Sequence, residues 1–326
     1  MRAILCSDWG EPETLTLGEV PPPVAGPGEV KLRVRAAGVN FADIVMVRGH
    51  YQEKPTLPFS PGLEAAGEIL TVGEGVPGIA PGDRVMAVPG VGAFAEEVVA
   101  PADAILPIPE GMDFITAAAI PVAYGTSHLA LTDRGALQAG ETLLVLGAGG
   151  GVGLSAVECG KALGATVIAA ASTAEKLDLA KAHGADHGIN YVDEDLRAVV
   201  RKLTDGRGVD VVYDPVGGDA SKAAMRSLAR KGRLLVIGFA AGDIPQFPAN
   251  YLLVKHISVV GVYWGSYRLN EPELFRASFE ELMKWYAEGR LKPHVSQVFP
   301  LARAADALGV LDSRQAIGRI VIDIDG

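Results

Sequence analysis

Two rhythms of apolar and polar residues divide the chain. Through the first third, short runs alternate or carry β-branched residues, as at 30–34 (Val30-Lys31-Leu32-Arg33-Val34), 66–70 and 84–88. Turn signals such as Gly26-Pro27-Gly28-Glu29 and Pro81-Gly82-Asp83 separate them. Period-two runs between such turns predict the half-buried strands of a β-barrel or sandwich. Near Thr116 the rhythm changes. Runs at 142–147, 166–171, 209–213, 233–238 and 257–262, with a short one near Ile189, are apolar throughout and alternate with helical segments. Strands covered on both faces have no polar face to show, so this pattern predicts a doubly wound parallel α/β sheet. Beyond Val262 follow an amphipathic helix over 273–288, a strand over 295–299, a helix over 301–312 and a strand over 319–324. A mixed tail this short buries little surface alone, so it is expected to pack back on the N-terminal domain.

Composition narrows the function classes. A length of 326 residues suggests two domains, and 49 % hydrophobic against 21 % charged residues supports packed cores. The formal charge of −10 repels phosphate backbones and anionic lipid, so neither a nucleic-acid partner nor a membrane role is expected. Met1-Arg2-Ala3-Ile4-Leu5 leads directly into a strand pattern with no signal-peptide core, and no apolar run is long enough to span a bilayer. Cys6 and Cys159 are the only cysteines, which suits a reducing, cytoplasmic setting and rules out a four-cysteine zinc site.

The sharpest local signal is Leu143-Leu144-Val145-Leu146-Gly147-Ala148-Gly149-Gly150-Gly151-Val152-Gly153. A buried strand ends in glycines that open a helix. Glycine lets the backbone approach a pyrophosphate closely, and the helix N-terminus offers it free N–H groups and a positive dipole end. The literal GxGxxG register is absent; the nearest readings are Gly147-x-x-Gly150-x-x-Gly153 and Ala148-x-Gly150-x-x-Gly153. The bland alternative is a ligand-free strand-to-helix turn, which the repeated βα units behind it weaken.

The tip of the next strand decides which dinucleotide fits. Asp or Glu there binds a ribose 2′-hydroxyl. Here the chain reads Ala169-Ala170-Ala171-Ser172-Thr173-Ala174-Glu175-Lys176. Ser172 can donate to a 2′-phosphate and Lys176 can supply charge, which favours NADPH. The alternative is that Ser172 caps the helix and Lys176 is a solvated surface residue.

At this point the chain resembles the zinc-free quinone oxidoreductases of the medium-chain dehydrogenase/reductase superfamily. The resemblance rests on Gly38-Val39-Asn40-Phe41-Ala42-Asp43, Arg48-Gly49-His50-Tyr51, Pro61-Gly62-Leu63-Glu64-Ala65-Ala66-Gly67, Pro81-Gly82-Asp83-Arg84-Val85 and Ala123-Tyr124-Gly125-Thr126. It continues through the glycine turn, Ala182-His183-Gly184-Ala185-Asp186, Ile189-Asn190-Tyr191 and Asp214-Pro215-Val216-Gly217-Gly218. It implies a Rossmann dinucleotide-binding domain over 121–262 and a GroES-like, β-rich catalytic domain over 1–120 and 263–326. In the zinc-dependent branch a cysteine stands near Asn40, a histidine stands at Leu63 and a cysteine-rich lobe follows Val88. None of these is present here, so no metal is expected. His183 and His187 flank a Gly-Ala turn and are read as surface residues.

Without zinc, alcohol oxidation lacks its Lewis acid, whereas addition to a quinone or an α,β-unsaturated carbonyl spreads the developing charge. The resemblance implies an NADPH-dependent oxidoreductase for such acceptors. Its catalytic candidates are Asn40, holding the cofactor carboxamide or the substrate oxygen, and Tyr51, bonding the substrate carbonyl or delivering a proton. Their alternatives are a turn amide and a packing residue. By resemblance Thr126 lies near the nicotinamide, Gly150, Gly151 and Val152 at the pyrophosphate, and Tyr191 near the 2′-phosphate. Val216, Gly217, Gly238 and Phe239 stand at predicted strand ends, where a ligand crosses an open sheet. Tyr263 follows the last strand and Arg314 lies near the C-terminus; both are cofactor candidates, with packing and solvation as their alternatives. Two rivals remain: an enoyl-thioester (acyl-CoA type) or alkenal reductase, and an NADPH-binding structural or RNA-binding homologue with little catalysis. The resemblance also implies a homodimer joined through the last strand, 257–262.

Overall fold

The computed structural model describes residues 1–326 and divides them into two units, Met1–Val122 with Pro293–Gly326 and Ala123–Lys292. The first unit opens with β1 (Arg2–Leu5), β2 (Thr16–Glu19), β3 (Glu29–Gly38), α1 (Phe41–Val47), β4 (Glu64–Val72), β5 (Arg84–Ala87), β6 (Glu97–Pro101), β7 (Ile105–Pro107) and α2 (Phe114–Ala118). Helix α3 (Pro121–Leu129) carries the chain into the second unit. There follow β8 (Thr142–Leu146), α4 (Gly151–Ala162), β9 (Thr166–Ala171), α5 (Ala174–Ala182), β10 (His187–Asn190), α6 (Leu196–Leu203), β11 (Val209–Asp214) and α7 (Gly218–Arg226). Next come β12 (Leu228–Val236), α8 (Ala249–Lys255), β13 (Ser258–Gly261), α9 (Tyr267–Asn270) and α10 (Pro272–Ala287). The chain then returns to the first unit with β14 (Val295–Pro300), α11 (Ala304–Asp312) and β15 (Arg319–Asp323).

In the first unit β1 and β2 form a ribbon, and a second sheet runs β14-β15-β3-β4-β5-β7, with β6 also paired to β3. All its ladders are antiparallel except β14 with β15. The alternation read in the sequence supplies its core: Val30, Leu32 and Val34 of β3 turn inward with Ile69, Val85 and Phe94. This is the GroES-like, β-rich unit.

The second unit holds six parallel strands in the order β10-β9-β8-β11-β12-β13, a Rossmann sheet whose order reverses between β8 and β11. Every residue of β8 is buried, as a central strand covered on both faces requires. Truncating a side chain such as Leu144 to alanine there costs about 2–5 kcal/mol.

The expected far boundary of the Rossmann domain, at 262, is corrected. Residues 263–292 remain with the second unit. The apolar face of α10 explains this. Phe275 and Phe279 meet edge-on and both pack against Trp264, whose indole lies against Gly125 of α3. His128 of α3 sits between Ser278 and Glu281 of α10, at 2.9 and 3.0 Å. Only β14, α11 and β15 pack back on the first unit; β15 joins β3 with Val321 opposite Gly38.

His183 is likewise corrected. It is largely buried, and its Nδ1 lies 2.5 Å from Glu158 Oε1. Glu158, buried in α4, also accepts from the Tyr124 hydroxyl at 2.6 Å and from the Lys292 N–H at 3.2 Å. No helix is long and apolar enough to cross a membrane.

Candidate functional site

In the second unit three turns meet at the carboxyl edge of the sheet, beside the reversal of strand order. The first is the glycine turn after β8. Gly147 takes φ +60°, and a Cβ on Gly153 would collide with the Gly147 carbonyl. Gly150 is the N-cap of α4, so the amides of Gly151 and Val152 open the helix without i−4 acceptors. The second turn follows β11. Buried Asp214 accepts the N–H groups of Val216 and Gly217, each at 2.9 Å. Those two amides are therefore closed to a phosphate, and the turn offers a ligand the Val216 side chain instead. Val216 reaches the glycine turn: a Cβ on Gly147 would stand 3.1 Å from its Cγ2. The third turn holds Gly238 and Phe239, and the Phe239 ring would lie 3.3 Å from a Cβ on Gly217.

The tip of β9 lies next along the sheet. Thr173, not Ser172, caps α5, its hydroxyl accepting the Lys176 N–H at 3.3 Å. That corrects the capping alternative for Ser172. Lys176 is not a solvated surface residue either. Its stem packs so closely on Gly149 that a Cβ there would overlap it, and burial lowers its ammonium below the ordinary range, Glu175 opposing. Tyr191 follows β10 and its N–H reaches Ala171 O at 3.2 Å. Ser172, Lys176 and Tyr191 are thus brought together at one sheet corner. Thr126 is buried on α3, whose Ser127 donates to Val152 O at 3.1 Å and joins Ser155 and Tyr213 through hydroxyls at 2.8 and 2.9 Å. Tyr263 follows β13 and is 39 % exposed.

The first unit holds the other candidates. Asn40 is the N-cap of α1 and forms a capping box with Asp43, and its amide also meets two charged side chains. Nδ2 donates to Glu64 Oε1 at 2.8 Å, and Oδ1 accepts from Arg319 Nη1 at 3.0 Å. Arg319 also pairs with Glu64 Oε1 and donates to Val39 O, while Glu64 Oε2 accepts the Val122 N–H at 2.7 Å. Glu64 is 0 % exposed, and the Arg319 Nε is buried without a partner. Gly38 makes room for this cluster, since a Cβ there would strike the Glu64 carboxylate and the Ala118 carbonyl. Asp43, fully buried, accepts the Asn40 N–H at 2.7 Å. Tyr51 follows α1, partly buried against the first unit's core. Arg314 is an exposed residue at φ +60° after α11, in the first unit.

Sequence reading missed Glu64, Arg319 and Asp214 as organisers. Each stands at a strand end, Glu64 first in β4, Asp214 last in β11 and Arg319 first in β15, and other charged residues in the same strands keep it from standing out.

A family model described as an alcohol dehydrogenase GroES-like domain matches residues 26–110, and one described as a zinc-binding dehydrogenase matches residues 151–288. Quinone oxidoreductase-like protein 2 of Bos taurus is 41 % identical over 99 % of this chain and 92 % of its own length. A quinone oxidoreductase of Pseudomonas aeruginosa is 37 % identical over 98 % of this chain and 99 % of its own. The structure of Escherichia coli quinone oxidoreductase complexed with NADPH matches with a TM-score of 0.93 and 32 % identity, covering 99 % of this chain and 100 % of that one. With two matching units and relatives aligned along nearly its whole length, the chain belongs to the zinc-free quinone oxidoreductase family of the medium-chain dehydrogenase/reductase superfamily and is an oxidoreductase.

Proposed function

We propose that the chain reduces quinones or α,β-unsaturated carbonyl compounds with NADPH and without zinc. The observation that carries the reading is the cradle at the β8–β11 reversal, flanked by a sheet corner bearing Ser172, Lys176 and Tyr191 and no carboxylate at the strand tip. Positions where a Cβ would fill the turn are occupied by glycine, as a closely approached pyrophosphate needs. The E. coli neighbour crystallised with NADPH supports the same choice.

In this reading Gly150, Gly151 and Val152 hold the pyrophosphate and Ser172, Lys176 and Tyr191 the 2′-phosphate. Thr126, Val216, Gly217, Gly238, Phe239 and Tyr263 shape the nicotinamide side. The bound dinucleotide supplies hydride. Asn40 orients the reacting group, and Tyr51 holds the substrate carbonyl by its hydroxyl and offers a proton. Leu63 lies in the first unit's apolar core, where the zinc-dependent branch carries a histidine. Arg48 weighs against a coenzyme A thioester as the preferred substrate, because it is already held by Glu11 at 2.5 Å and Asp312 at 2.8 Å. We also propose a homodimer through β13, an edge strand beside exposed Leu253 and Val254 of α8.

The test is a panel of quinones, enals and enoyl thioesters assayed with NADPH and NADH, with and without chelator. The reading expects NADPH to exceed NADH in kcat/KM by about tenfold or more, a preference that Lys176→Met collapses. It fails if no acceptor consumes NADPH or if chelation abolishes turnover. NADPH binding without turnover of any acceptor would favour the non-catalytic rival.

A further inference from the structure

Five of the seven residues from Gly147 to Gly153 are glycine, so the turn that opens α4 has almost no side chains with which to anchor itself. Ordering glycine costs more backbone entropy than ordering any other residue, and a ligand left to do that ordering binds more weakly. The anchor comes from outside the turn. Ser127 Oγ of α3 lies 3.1 Å from Val152 O, 2.8 Å from Ser155 Oγ and 2.9 Å from the Tyr213 hydroxyl. Ser155 Oγ of α4 lies 2.9 Å from Val152 O and 3.0 Å from Ala123 O of α3. All three hydroxyls belong to buried residues, and each has one proton to give. Tyr213 meets only Ser127 in this cluster, so its phenol donates there. Burial raises that phenol above its ordinary range, with the Ser127 bond opposing and Cys159 adding, so the proton stays in place. One assignment of the other two protons then supplies both carbonyls: Ser127 donates to Val152 O, and Ser155 donates to Ala123 O.

We infer that Ser127 is a positioning residue for cofactor binding: its hydroxyl, with its proton aimed by Tyr213, clamps the first turn of α4 so that the Gly151 and Val152 amides are already in place for the pyrophosphate. The inference rests on the NADPH reading proposed above and adds to it a source of preorganisation. The clamp acts on Val152 itself, whose carbonyl is tied to α3 while its N–H is among the amides left open at the helix start. Two consecutive residues of β11 then order the two turns that meet at the reversal of strand order. Tyr213 acts on the glycine turn through Ser127, and Asp214 acts on the other turn by accepting the N–H groups of Val216 and Gly217.

The test is titration calorimetry with two ligands, NADPH and adenosine 2′-monophosphate, which keeps the 2′-phosphate but has no pyrophosphate. Ser127→Ala should bind NADPH about three- to tenfold more weakly, the loss expected of one hydrogen bond, with affinity for the monophosphate unchanged. Tyr213→Phe keeps the ring and its packing. It should shift NADPH binding the same way by about two- to threefold, because Ser127 then loses only the group that aims its proton. Hydrogen exchange of the ligand-free variants reads the clamp directly: the start of α4 should exchange faster while β8 does not. Equal losses for both ligands would mean a general loosening of the unit and overturn the inference. So would NADPH affinity, or exchange at the start of α4, that stays at the parent's level in both variants. In either case NADPH binding by the parent leaves the NADPH reading standing. Failure of the parent to bind NADPH removes that reading and the inference with it.

Discussion

Replacing Asp43 by asparagine should change how stability depends on pH, in a direction set by the structure. Asp43 is fully buried in the first turn of α1; its Oδ2 accepts the Asn40 N–H and its Oδ1 has no partner. Burial pushes its carboxyl up from 3.8 to about 7, with the Asn40 amide opposing, Glu64 adding and Arg319 opposing. Between those values the folded chain holds a proton that the unfolded chain has released. Stability therefore falls as pH rises through this window and levels off above about pH 7. A displacement of about three pH units corresponds to roughly 4 kcal/mol, of which roughly 2–3 kcal/mol develops between about pH 5 and 8. Asparagine keeps an oxygen for the Asn40 N–H and does not ionise. The assay is urea unfolding across that range, read by hydrogen exchange in peptides from β3 and α1 so that the first unit is followed separately. The variant should gain on the parent by roughly 2–3 kcal/mol from the acid to the alkaline end. Stability curves that run parallel would refute the reasoning.

Three further outcomes follow from other parts of the molecule. Gly153→Ala drives a Cβ into the Gly147 carbonyl, so NADPH affinity should fall by about tenfold or more in calorimetry while circular dichroism stays native. Tyr51→Phe should lower kcat by roughly tenfold to 100-fold with the KM for NADPH little changed, and unchanged turnover would remove Tyr51 from the chemistry. His128, whose imidazole burial holds below its ordinary 6.5 against the pull of Glu281, takes up a proton less readily when folded. The unfolded chain takes up that proton first, so stability should drop as pH falls below 6.5, and thermal melts of His128→Gln should show a smaller drop.

The parallel sheet was legible because its strands are apolar on both faces. The runs expected at 142–147 and 166–171 differ by at most a residue from β8 and β9. β12 begins earlier than the expected 233, at Leu228, because Arg230-Lys231-Gly232 interrupts the apolar pattern with a left-handed Lys231 and a register shift. The apolar stripe of α10 was equally readable, but a stripe does not name its partner. Helix α10 lies on α3 of the second unit, so the far boundary moved from 262 to 292. At the site, the glycine turn and the β9 tip were local signals and could be read from short stretches. The Asn40 cluster could not, since Glu64 and Arg319 meet through the β15–β3–β4 ladder, and pairing across such a separation leaves no local trace.

The crowding around Gly38 bears on how this protein can change over generations. Glycine 38, asparagine 40, glutamate 64 and arginine 319 fit one another so closely that altering any one strands the rest: a lone buried charge, or a side chain with nowhere to go. Losing one member of such a pair costs about 3–5 kcal/mol, whereas exchanging both for apolar residues of like volume is often tolerated. Lineages and directed-evolution libraries should therefore cross this ground in coordinated steps, and libraries that vary the four positions singly will score them as immutable.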